Sequence, residues 1–376
     1  MLKIIFVAAA RPNFIKIAPI VNEAKKHADF ECILVHTGQH YDKNMSDTFF
    51  EQLNIPKPNI HLNIGGGSHA EQTGNTMIAF EKICLEEKPD LVIVVGDVNA
   101  TAACAIAAKK CHVQVAHIEA GLRSFDREMP EEINRLVTDS ISDIFYTTCK
   151  EANDQLKKEG YHDDMVVLAG NLMIDTLFNQ KEKAAQLSYY NSFNLIQKNY
   201  ALLTLHRPSN VDFKDVLNPM LDEIIHISNQ CPIVFPIHPR TKQKLEQFGR
   251  LQDLESNSNI HLCSPIGYLE MLSLTMNAKL VLTDSGGLQE ETAVLGVPCL
   301  TLRENTERPI TITEGSNQLV GTSPTVLRKK AQEVLSNPDK EYSKPSLWDG
   351  KAAKRIVKDL KIRFNKPFKL EPENNK

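Results

Sequence analysis

Carboxylate side chains follow two strand-like runs in the N-terminal half of the chain. Asp97 comes after the apolar run 91–95, and Glu119 comes after the run 115–118. In α/β proteins, ligands bind beyond the carboxyl ends of the strands. Carboxylates that converge on one site push their pKa values apart, so that one can act as an acid and the other as a base. Asp97 and Glu119 are therefore predicted to carry proton transfer.

Glu131 is a third candidate acid or base. It follows Pro130, a residue that suits the first position of a helix, and Arg135 lies one helical turn further on. The alternative is that Glu131 and Arg135 form an exposed i,i+4 ion pair, worth only a few tenths of a kcal/mol.

A glycine-marked turn in the C-terminal half has the pattern of a phosphate-binding site. The strand-like run 279–283 leads through Asp284 into Ser285–Gly287 and then into a helix pattern. Unpaired N–H groups at a helix start attract phosphate oxygens, and glycine allows a close approach. Glu290 or Glu291 could accept hydrogen bonds from ribose hydroxyls, or simply complement the helix dipole. A plain strand–helix turn is the alternative for the whole motif.

Basic residues stand near two of the predicted strand ends. Arg11 and Lys16 bracket the start of a helix, where cations oppose the helix dipole and are more easily explained by an anionic ligand. Arg303 or Arg308 could neutralise a diphosphate through a planar set of donors, although a surface loop of mixed charge would have the same composition.

Two histidines end consecutive strands of the C-terminal half. His206 and His238 are each followed closely by proline and arginine. A single histidine at a strand end is usually structural, but two at equivalent edges indicate phosphate binding or proton transfer near neutral pH.

Apolar runs alternate with amphipathic ones along the chain, which predicts repeated β-α units and parallel sheets. The predicted strands are 3–8, 31–36, 91–95, 114–118, 144–147, 165–168, 201–205, 233–237, 260–263, 279–283, 298–302 and 318–320. The predicted helices are 14–27, 43–53, 69–87, 99–109, 131–140, 150–158, 213–229, 239–248, 267–276, 286–295, 324–336 and 351–364.

The length and the alternation of strands and helices predict two Rossmann-like parallel-sheet domains, because 376 residues are more than a single hydrophobic core usually accommodates. Two such sheets facing each other would form one cleft. The predicted parts are an N-terminal domain with the carboxylates, a helical connection, a C-terminal domain with the phosphate-binding turn, a C-terminal helix packed on the first domain and a disordered tail, at 1–177, 178–198, 199–350, 351–364 and 365–376.

Composition is that of an ordinary globular protein and excludes several function classes. The chain has 42% hydrophobic and 24% charged residues and a net charge of −4, so no general attraction for nucleic acid is expected. No membrane span, nicotinamide site or metal site is predicted. The glycine run 65–67 lacks the acidic partner of a dinucleotide fingerprint, and the histidines lack metal-ligand spacing. Eight cysteines without paired spacing indicate a reducing cytoplasm.

Nine short motifs occur in an order that resembles a known family. They are Ala-Arg-Pro-Asn-Phe-Ile-Lys (10–16), His-Thr-Gly-Gln-His-Tyr (36–41), Gly-Asp-Val-Asn (96–99), His-Ile-Glu-Ala-Gly-Leu-Arg (117–123), Met-Pro-Glu-Glu-Ile-Asn-Arg (129–135), Leu-His-Arg-Pro (205–208), Ile-His-Pro-Arg-Thr (237–241), Thr-Asp-Ser-Gly-Gly-Leu-Gln-Glu-Glu (283–291) and Thr-Glu-Arg-Pro (306–309). Together they resemble the non-hydrolysing UDP-N-acetylglucosamine 2-epimerases over nearly the whole chain.

The resemblance implies a glycosyltransferase-B-like fold, a homodimer and a UDP-sugar substrate. It implies reversible inversion at C2 to UDP-N-acetylmannosamine, by elimination of UDP to a 2-acetamidoglucal and re-addition, without metal or nicotinamide cofactor. The product would supply N-acetylmannosamine-type sugars for surface polysaccharides.

Carried over by position, the resemblance assigns two groups of residues. The implied catalytic residues are Asp97, Glu119, Glu131 and His206. The implied UDP-binding residues are Arg11, Lys16, Ser285, Gly286, Gly287, Glu291 and Arg308, and His238 joins them from its place at the strand edge.

Three other activities stay open at this point. The same motifs occur in epimerases of UDP-2,3-diacetamido uronates, although those tend to lack the arginine found at Arg308. A hydrolysing 2-epimerase would release UDP steadily, and a glycosyltransferase would need an acceptor pocket in place of three carboxylates.

Overall fold

The computed structural model describes residues 1–9, 11–38, 50, 53–337 and 340–364, with the backbone alone at positions 11 and 12. The chain divides into two compact units. One comprises Met1–Thr176 and the segment that begins at Asp349, and the other comprises Leu177–Trp348. The predicted tail 365–376 and most of the predicted helix 43–53 lie outside the described residues.

The N-terminal unit is built on a seven-stranded parallel sheet with the order β3-β2-β1-β4-β5-β6-β7. Its strands are β1 Leu2–Ala8, β2 Phe30–Gly38, β3 Ile60–Ile64, β4 Leu91–Val95, β5 Gln114–Ile118, β6 Ile144–Thr147 and β7 Val166–Leu168. Its helices are α1 Arg11–Ala24, α2 His69–Glu87, α3 Asn99–Lys110, α4 Pro130–Ile141 and α5 Lys150–Lys158, and α6 Leu172–Leu187 contains the boundary between the units.

The central strands of this sheet are buried on both faces. All five residues of β4 are buried, as parallel strands require when helices cover both sides. Helix α3 supplies one cover with small side chains such as Ala103 and Cys104, which allow close packing. The order of strands reverses beside β1 and β4, so ligand-binding residues are expected at the carboxyl ends of these strands.

Strand β3 was not predicted from the sequence. It lies at the edge of the sheet, and its polar residues His61 and Asn63 are exposed. The short run therefore lacks the continuous apolar pattern of its neighbours. It matters for the site because Ile64 and Gly65 at its end line a cavity described below.

The C-terminal unit has a six-stranded parallel sheet with the order β10-β9-β8-β11-β12-β13. Its strands are β8 Ala201–Thr204, β9 Ile233–Pro236, β10 Ile260–Cys263, β11 Leu280–Thr283, β12 Cys299–Thr301 and β13 Asn317–Leu319. Its helices are α7 Pro208–Val211, α8 Lys214–Ser228, α9 Pro239–Gln247, α10 Leu251–Glu255, α11 Tyr268–Asn277, α12 Gly286–Leu295, α13 Ile310–Thr313 and α14 Pro324–Ser336. The two sheets confirm the predicted pair of Rossmann-like domains.

A last helix, α15 Ala352–Phe364, packs on α1 of the N-terminal unit. Its first N–H groups are bound by a carboxylate from α6: Asp175 accepts hydrogen bonds from the backbone nitrogens of Ala352 at 3.0 Å and Ala353 at 2.8 Å. Burial raises the pKa of Asp175 to about 6, even though these two bonds favour its charged form. Within the part of the chain that the structure describes, no helix has the length and apolar character needed to cross a membrane.

Asp175 predicts a stability that depends on pH. Its folded pKa of about 6 lies above the ordinary value of 3.8, so the folded protein holds a proton that the unfolded chain has lost. The free energy of unfolding should therefore fall as pH rises from about 4 to about 6, by roughly 2–3 kcal/mol. Urea titrations should show that Asp175→Asn removes this component, whereas Asp164→Asn, at an exposed carboxyl group, leaves it intact. Equal pH profiles for the wild type and Asp175→Asn would contradict the assignment.

Candidate active site

Two of the predicted carboxylates line one cavity at the carboxyl edge of the N-terminal sheet. Asp97 follows β4 and Glu131 lies in the first turn of α4, and both border a cavity of about 300 Å³. Amide side chains form part of the same wall. Asn134 donates to the Asp97 carbonyl oxygen at 2.9 Å and to Asn99 Oδ1 at 3.2 Å. The cavity is thus lined by carboxylates and by amide side chains, and amide side chains hydrogen-bond the hydroxyl and amide groups of a sugar well.

The third carboxylate, Glu119, forms a buried ion pair with Lys16. Lys16 Nζ lies 2.6 Å from Glu119 Oε2, and the carboxylate is 4% exposed. The other oxygen, Oε1, is buried without a hydrogen-bond partner in the described structure. Gly96, beside Asp97, lies against this pair, since a Cβ atom there would be 3.6 Å from Glu119 and 3.7 Å from Lys16. Predicted residues from two loops and from helix α1 therefore meet at one edge.

The contacts of Arg135 differ from the exposed ion pair with Glu131 that the sequence allowed. It pairs with Asp97 and, at 2.8 Å, with Glu132, rather than serving as the exposed partner of Glu131. Glu132 also accepts bonds from the backbone and side chain of Ser124 at 2.8 and 2.9 Å. Burial opposes the ionisation of Glu132, but Ser124 and Arg135 keep its pKa below the ordinary value. The guanidinium of Arg135 is itself buried and neutralised by Glu132, and it thus holds the side chain of Asp97 in place.

Sequence reasoning missed a buried pair beneath this edge. His117, in β5, contacts Asp139 of α4 through Nδ1 at 2.6 Å and the Gly96 carbonyl oxygen through Nε2 at 2.9 Å. His117 was present in one of the family motifs, but Asp139 lies 22 residues away, so no local pattern joined them.

In the C-terminal unit, Asp284 organises the end of β11. It lies 2.7 Å from His206 Nδ1 and accepts the backbone N–H groups of His206 at 2.9 Å and Arg207 at 2.7 Å. Burial by itself opposes ionisation, yet His206 and the two N–H donors keep the pKa of Asp284 below its ordinary value. Sequence reasoning passed over Asp284, although it directly precedes the glycine turn. The carboxylate orients His206.

The second histidine lies beside the first. The rings of His206 and His238 are 5.7 Å apart, and His238 Nδ1 accepts the Arg240 N–H at 3.2 Å as it caps α9. Partial burial, with repulsion from His206, lowers the pKa of His238. The two predicted histidines are thus brought together at the end of β8 and β9.

The glycine turn leads into a helix as predicted. Ser285 is the N-cap of α12, and its side chain makes no capping hydrogen bond. Gly286 and Gly287 form the first turn of this ten-residue helix. A Cβ atom on Gly286 would lie 2.7 Å from Arg308 Nη1. The glycine therefore admits the guanidinium to the helix start.

Arg308 is held there by two buried acids. Its Nε lies 2.6 Å from Glu290 Oε1, and it also pairs with Glu307, which Arg303 contacts at 2.9 Å. Although burial opposes the charge of Glu307, Arg308 and Arg303 hold its pKa far below the ordinary value. Arg308 is thus fixed beside the glycine turn, and Arg303 is linked to it through Glu307.

The two predicted ribose ligands differ in environment. Glu290 is committed to Arg308, whereas Glu291 lies near the Tyr268 hydroxyl, which favours its charged form. Burial outweighs that contact and, with repulsion from Glu290, raises the pKa of Glu291 to about 7. Arg11, the remaining predicted UDP ligand, begins α1, but its side chain lies outside the described part of the structure.

The sequence profile of the UDP-N-acetylglucosamine 2-epimerase family matches residues 22–361. The chain belongs to this family of isomerases. It is 45% identical over 365 residues to the UDP-N-acetylglucosamine 2-epimerase of Methanocaldococcus jannaschii, covering 96% of this chain and 99% of the relative. It is also 40% identical over 362 residues to the UDP-2,3-diacetamido-2,3-dideoxy-D-glucuronate 2-epimerase of Pseudomonas aeruginosa, with 96% and 99% covered.

A crystal structure of the Methanocaldococcus jannaschii UDP-GlcNAc 2-epimerase, in complex with UDP-GlcNAc and UDP, has the same fold. The TM-score is 0.88 at 43% identity, and the match covers 96% of this chain and 100% of the other. These similarities confirm the predicted family and the glycosyltransferase-B-like fold class.

The buried Lys16–Glu119 pair predicts strong coupling between its members. Lys16→Met or Glu119→Gln alone should lower the free energy of unfolding by about 3–5 kcal/mol, because each removes one member of a buried ion pair and leaves the charge of the other member buried. The double variant should recover part of that loss in urea titrations. Lys109→Met is the matched control, because Lys109 and Asp143 are each 34% exposed, and it should cost no more than about 1 kcal/mol. Strictly additive losses in the double variant would refute the coupling.

Proposed function

We propose that this epimerase interconverts UDP-N-acetylglucosamine and UDP-N-acetylmannosamine without net hydrolysis. The observation that carries the proposal is the meeting of Asp97, Glu119 and Glu131 at one sheet edge, two of them on one cavity. Its counterpart is the glycine turn with Arg308 at the start of a helix, which suits a diphosphate. The names of the relatives at 45% identity support the same substrate.

Inversion at C2 of this sugar needs a route around an unreactive C–H bond. No carbonyl group activates C2, so simple exchange by a base is unfavourable. Elimination of UDP removes the C2 proton and breaks the C1–oxygen bond, leaving a planar 2-acetamidoglucal. Re-addition of UDP at C1, with a proton delivered to the other face of C2, gives the epimer. The route needs no redox carrier, because electrons and atoms balance within the substrate and UDP.

Proton transfer requires one base and one acid. Glu119 suits either task, because Oε2 is bound to Lys16 while Oε1 has no partner in the described structure. Asp97, fixed by Arg135, and Glu131, in the first turn of α4, are the other two candidates. General acid–base catalysis of this kind is worth about 10²–10⁴ in rate.

Departure of UDP requires stabilisation of the diphosphate. The N–H groups of Gly286 and Gly287, the Ser285 hydroxyl and the Arg308 guanidinium are suited to that charge. His206, oriented by Asp284, would hydrogen-bond the diphosphate or assist proton transfer.

Glu291 would accept hydrogen bonds from ribose hydroxyls when ionised. His238, Arg11 and Lys16 complete the proposed UDP ligands, and binding of a phosphate by Lys16 would compete with its contact to Glu119.

A second candidate substrate is a UDP-2,3-diacetamido uronate. The 40% identity to the Pseudomonas aeruginosa enzyme favours it, whereas the presence of Arg308 in this chain favours the simpler sugar. Parallel assays with both substrates decide between them, since the preferred one should have the higher kcat/KM.

The decisive experiment follows hydrogen at C2. Incubation with UDP-N-acetylglucosamine in deuterated water should place deuterium at C2 of both epimers in the NMR spectrum, with only traces of free UDP. Steady accumulation of UDP with free N-acetylmannosamine would mean hydrolysis instead.

Asp97→Asn should lower the rate of this exchange by at least about 10²-fold, because the amide can neither remove nor deliver the proton. The Kd for UDP, measured by calorimetry, should stay within about twofold of the wild type. Glu128→Gln, at an exposed carboxyl group, is the control and should exchange normally. Unchanged exchange in Asp97→Asn would remove Asp97 from the mechanism.

Gly286→Ala should weaken UDP binding by about tenfold or more. The added methyl group would lie 2.7 Å from Arg308 Nη1, and Glu290 and Glu307 prevent the guanidinium from moving freely. Gly66→Ala is the matched control, because its Cβ would meet no atom within 4 Å. Calorimetric titration with UDP measures both, and the same Kd in all three proteins would refute the diphosphate site.

A further inference from the structure

The ends of β4 and β5 are joined by a histidine that has no exposure to solvent. His117 Nδ1 lies 2.6 Å from Asp139 Oδ1, and both side chains are fully buried. On the other side of the ring, Nε2 lies 2.9 Å from the carbonyl oxygen of Gly96. That carbonyl group belongs to the peptide bond that leads into Asp97. The ring thus spans from α4 to the loop that carries a candidate catalytic residue.

Both ring nitrogens of His117 face hydrogen-bond acceptors. A carbonyl oxygen only accepts, and so does an ionised carboxylate. Burial opposes the ionisation of Asp139, but His117 and Arg123 hold its pKa below the ordinary value. If Asp139 is ionised, a bond donated by each ring nitrogen requires hydrogen on both Nδ1 and Nε2, as in an imidazolium.

The positive ring lies in a balanced group of charges. Asp139 Oδ2 lies 2.7 Å from Arg123 Nη1, and Arg123 in turn lies 2.6 Å from Glu159. Two cations and two anions therefore alternate along this chain of contacts. A buried charge is tolerated when it is paired and hydrogen-bonded in this way.

Asp139 also holds the loop that carries Glu119. Its Oδ2 accepts the Gly121 N–H at 3.1 Å. This loop turns sharply, because Glu119 has φ +70° and Gly121 has φ +76°. Gly96, at the other end of the contact, has φ +71°. Backbone of this kind persists only where the surroundings hold it. The His117–Asp139 pair binds both turns.

We propose that His117, doubly protonated and held by Asp139, is a positioning residue that fixes Asp97 and Glu119 relative to each other. It touches neither substrate nor a reacting atom; it acts through the Gly96 carbonyl group and, with Asp139, through Gly121. The consequence for catalysis rests on the proposed function, whereas the two contacts of the ring rest on the geometry.

Two amide variants separate the two bonds of the ring. In His117→Asn the amide nitrogen replaces Nδ1 and keeps the bond to Asp139, but the donor to Gly96 is lost. In His117→Gln the amide nitrogen reaches the place of Nε2 and keeps the donor to Gly96. Misplacement of catalytic groups by about 1 Å can cost about 10²-fold in rate. Deuterium exchange at C2 should therefore fall by about 10²-fold in His117→Asn, and His117→Gln should recover part of this loss.

Two readouts distinguish positioning from a general structural role. The Kd for UDP should remain within about twofold of the wild type in both variants, and His162→Asn, at an exposed histidine, should match the wild type throughout. In ¹⁵N-histidine-labelled wild-type protein, the His117 ring, assigned by its loss in His117→Asn or His117→Gln, should show two N–H signals at pH 8. Wild-type exchange in His117→Asn would overturn the proposal.

The ¹⁵N spectrum of the wild type remains a test even if only one of the two variants folds, because either variant suffices for the assignment, and even if the wild type proves inactive at C2. A single N–H signal would mean a neutral ring, and would overturn the proposal. Two N–H signals together with no C2 exchange on either UDP-sugar would support the doubly bonded ring and reject the proposed function.

Discussion

The structure of the N-terminal unit depends on keeping charged groups at the end of a sheet that is otherwise apolar. β4 is buried along its whole length, and Asp97 follows within two residues. The chain meets this constraint with counter-charges from helices: Lys16 for Glu119, Arg135 for Asp97 and the His117–Asp139 pair beneath both. Asp97 and Glu119 are thus each held by a cation from a helix. The stability of the sheet edge and the orientation of the reactive groups have the same origin.

The C-terminal unit solves the same problem for an anionic ligand. A guanidinium at a helix start is unfavourable by the dipole alone, and Arg308 is retained there by Glu290 and Glu307. The acids do not cancel its use, because a planar guanidinium has five donors and can serve a ligand as well. Asp284 orients His206 in the same way, since its Oδ1 lies 2.7 Å from Nδ1 of the ring. In both units, buried acids set the direction of the groups proposed to meet the substrate.

Much of this could be predicted from local sequence. Helix α2 was predicted at its observed bounds, and its start is marked by a capping box between Ser68 and Glu71. β4 was equally clear, because a buried parallel strand is a continuous apolar run. The edge strand β3 was missed, since two of its five residues are exposed and the other three are only partly buried, so its apolar pattern is weak. The strand-end rule found Asp97, Glu119, His206 and His238 because it depends only on where strands end.

Contacts between distant residues were beyond that reasoning. His117 and Asp139 are separated by a loop and by more than two turns of α4, and only the packing of α4 on β5 brings them together. Two neighbouring acids in α4 have different surroundings: Glu132 faces the interior and binds Arg135, whereas Glu131 faces the cavity. Periodicity predicts that one face of a helix is buried, but which of the two acids lies on that face depends on how α4 packs on β5. The groups that orient the reactive residues are therefore the part of the site that requires the fold, because their partners come from other elements of the sheet.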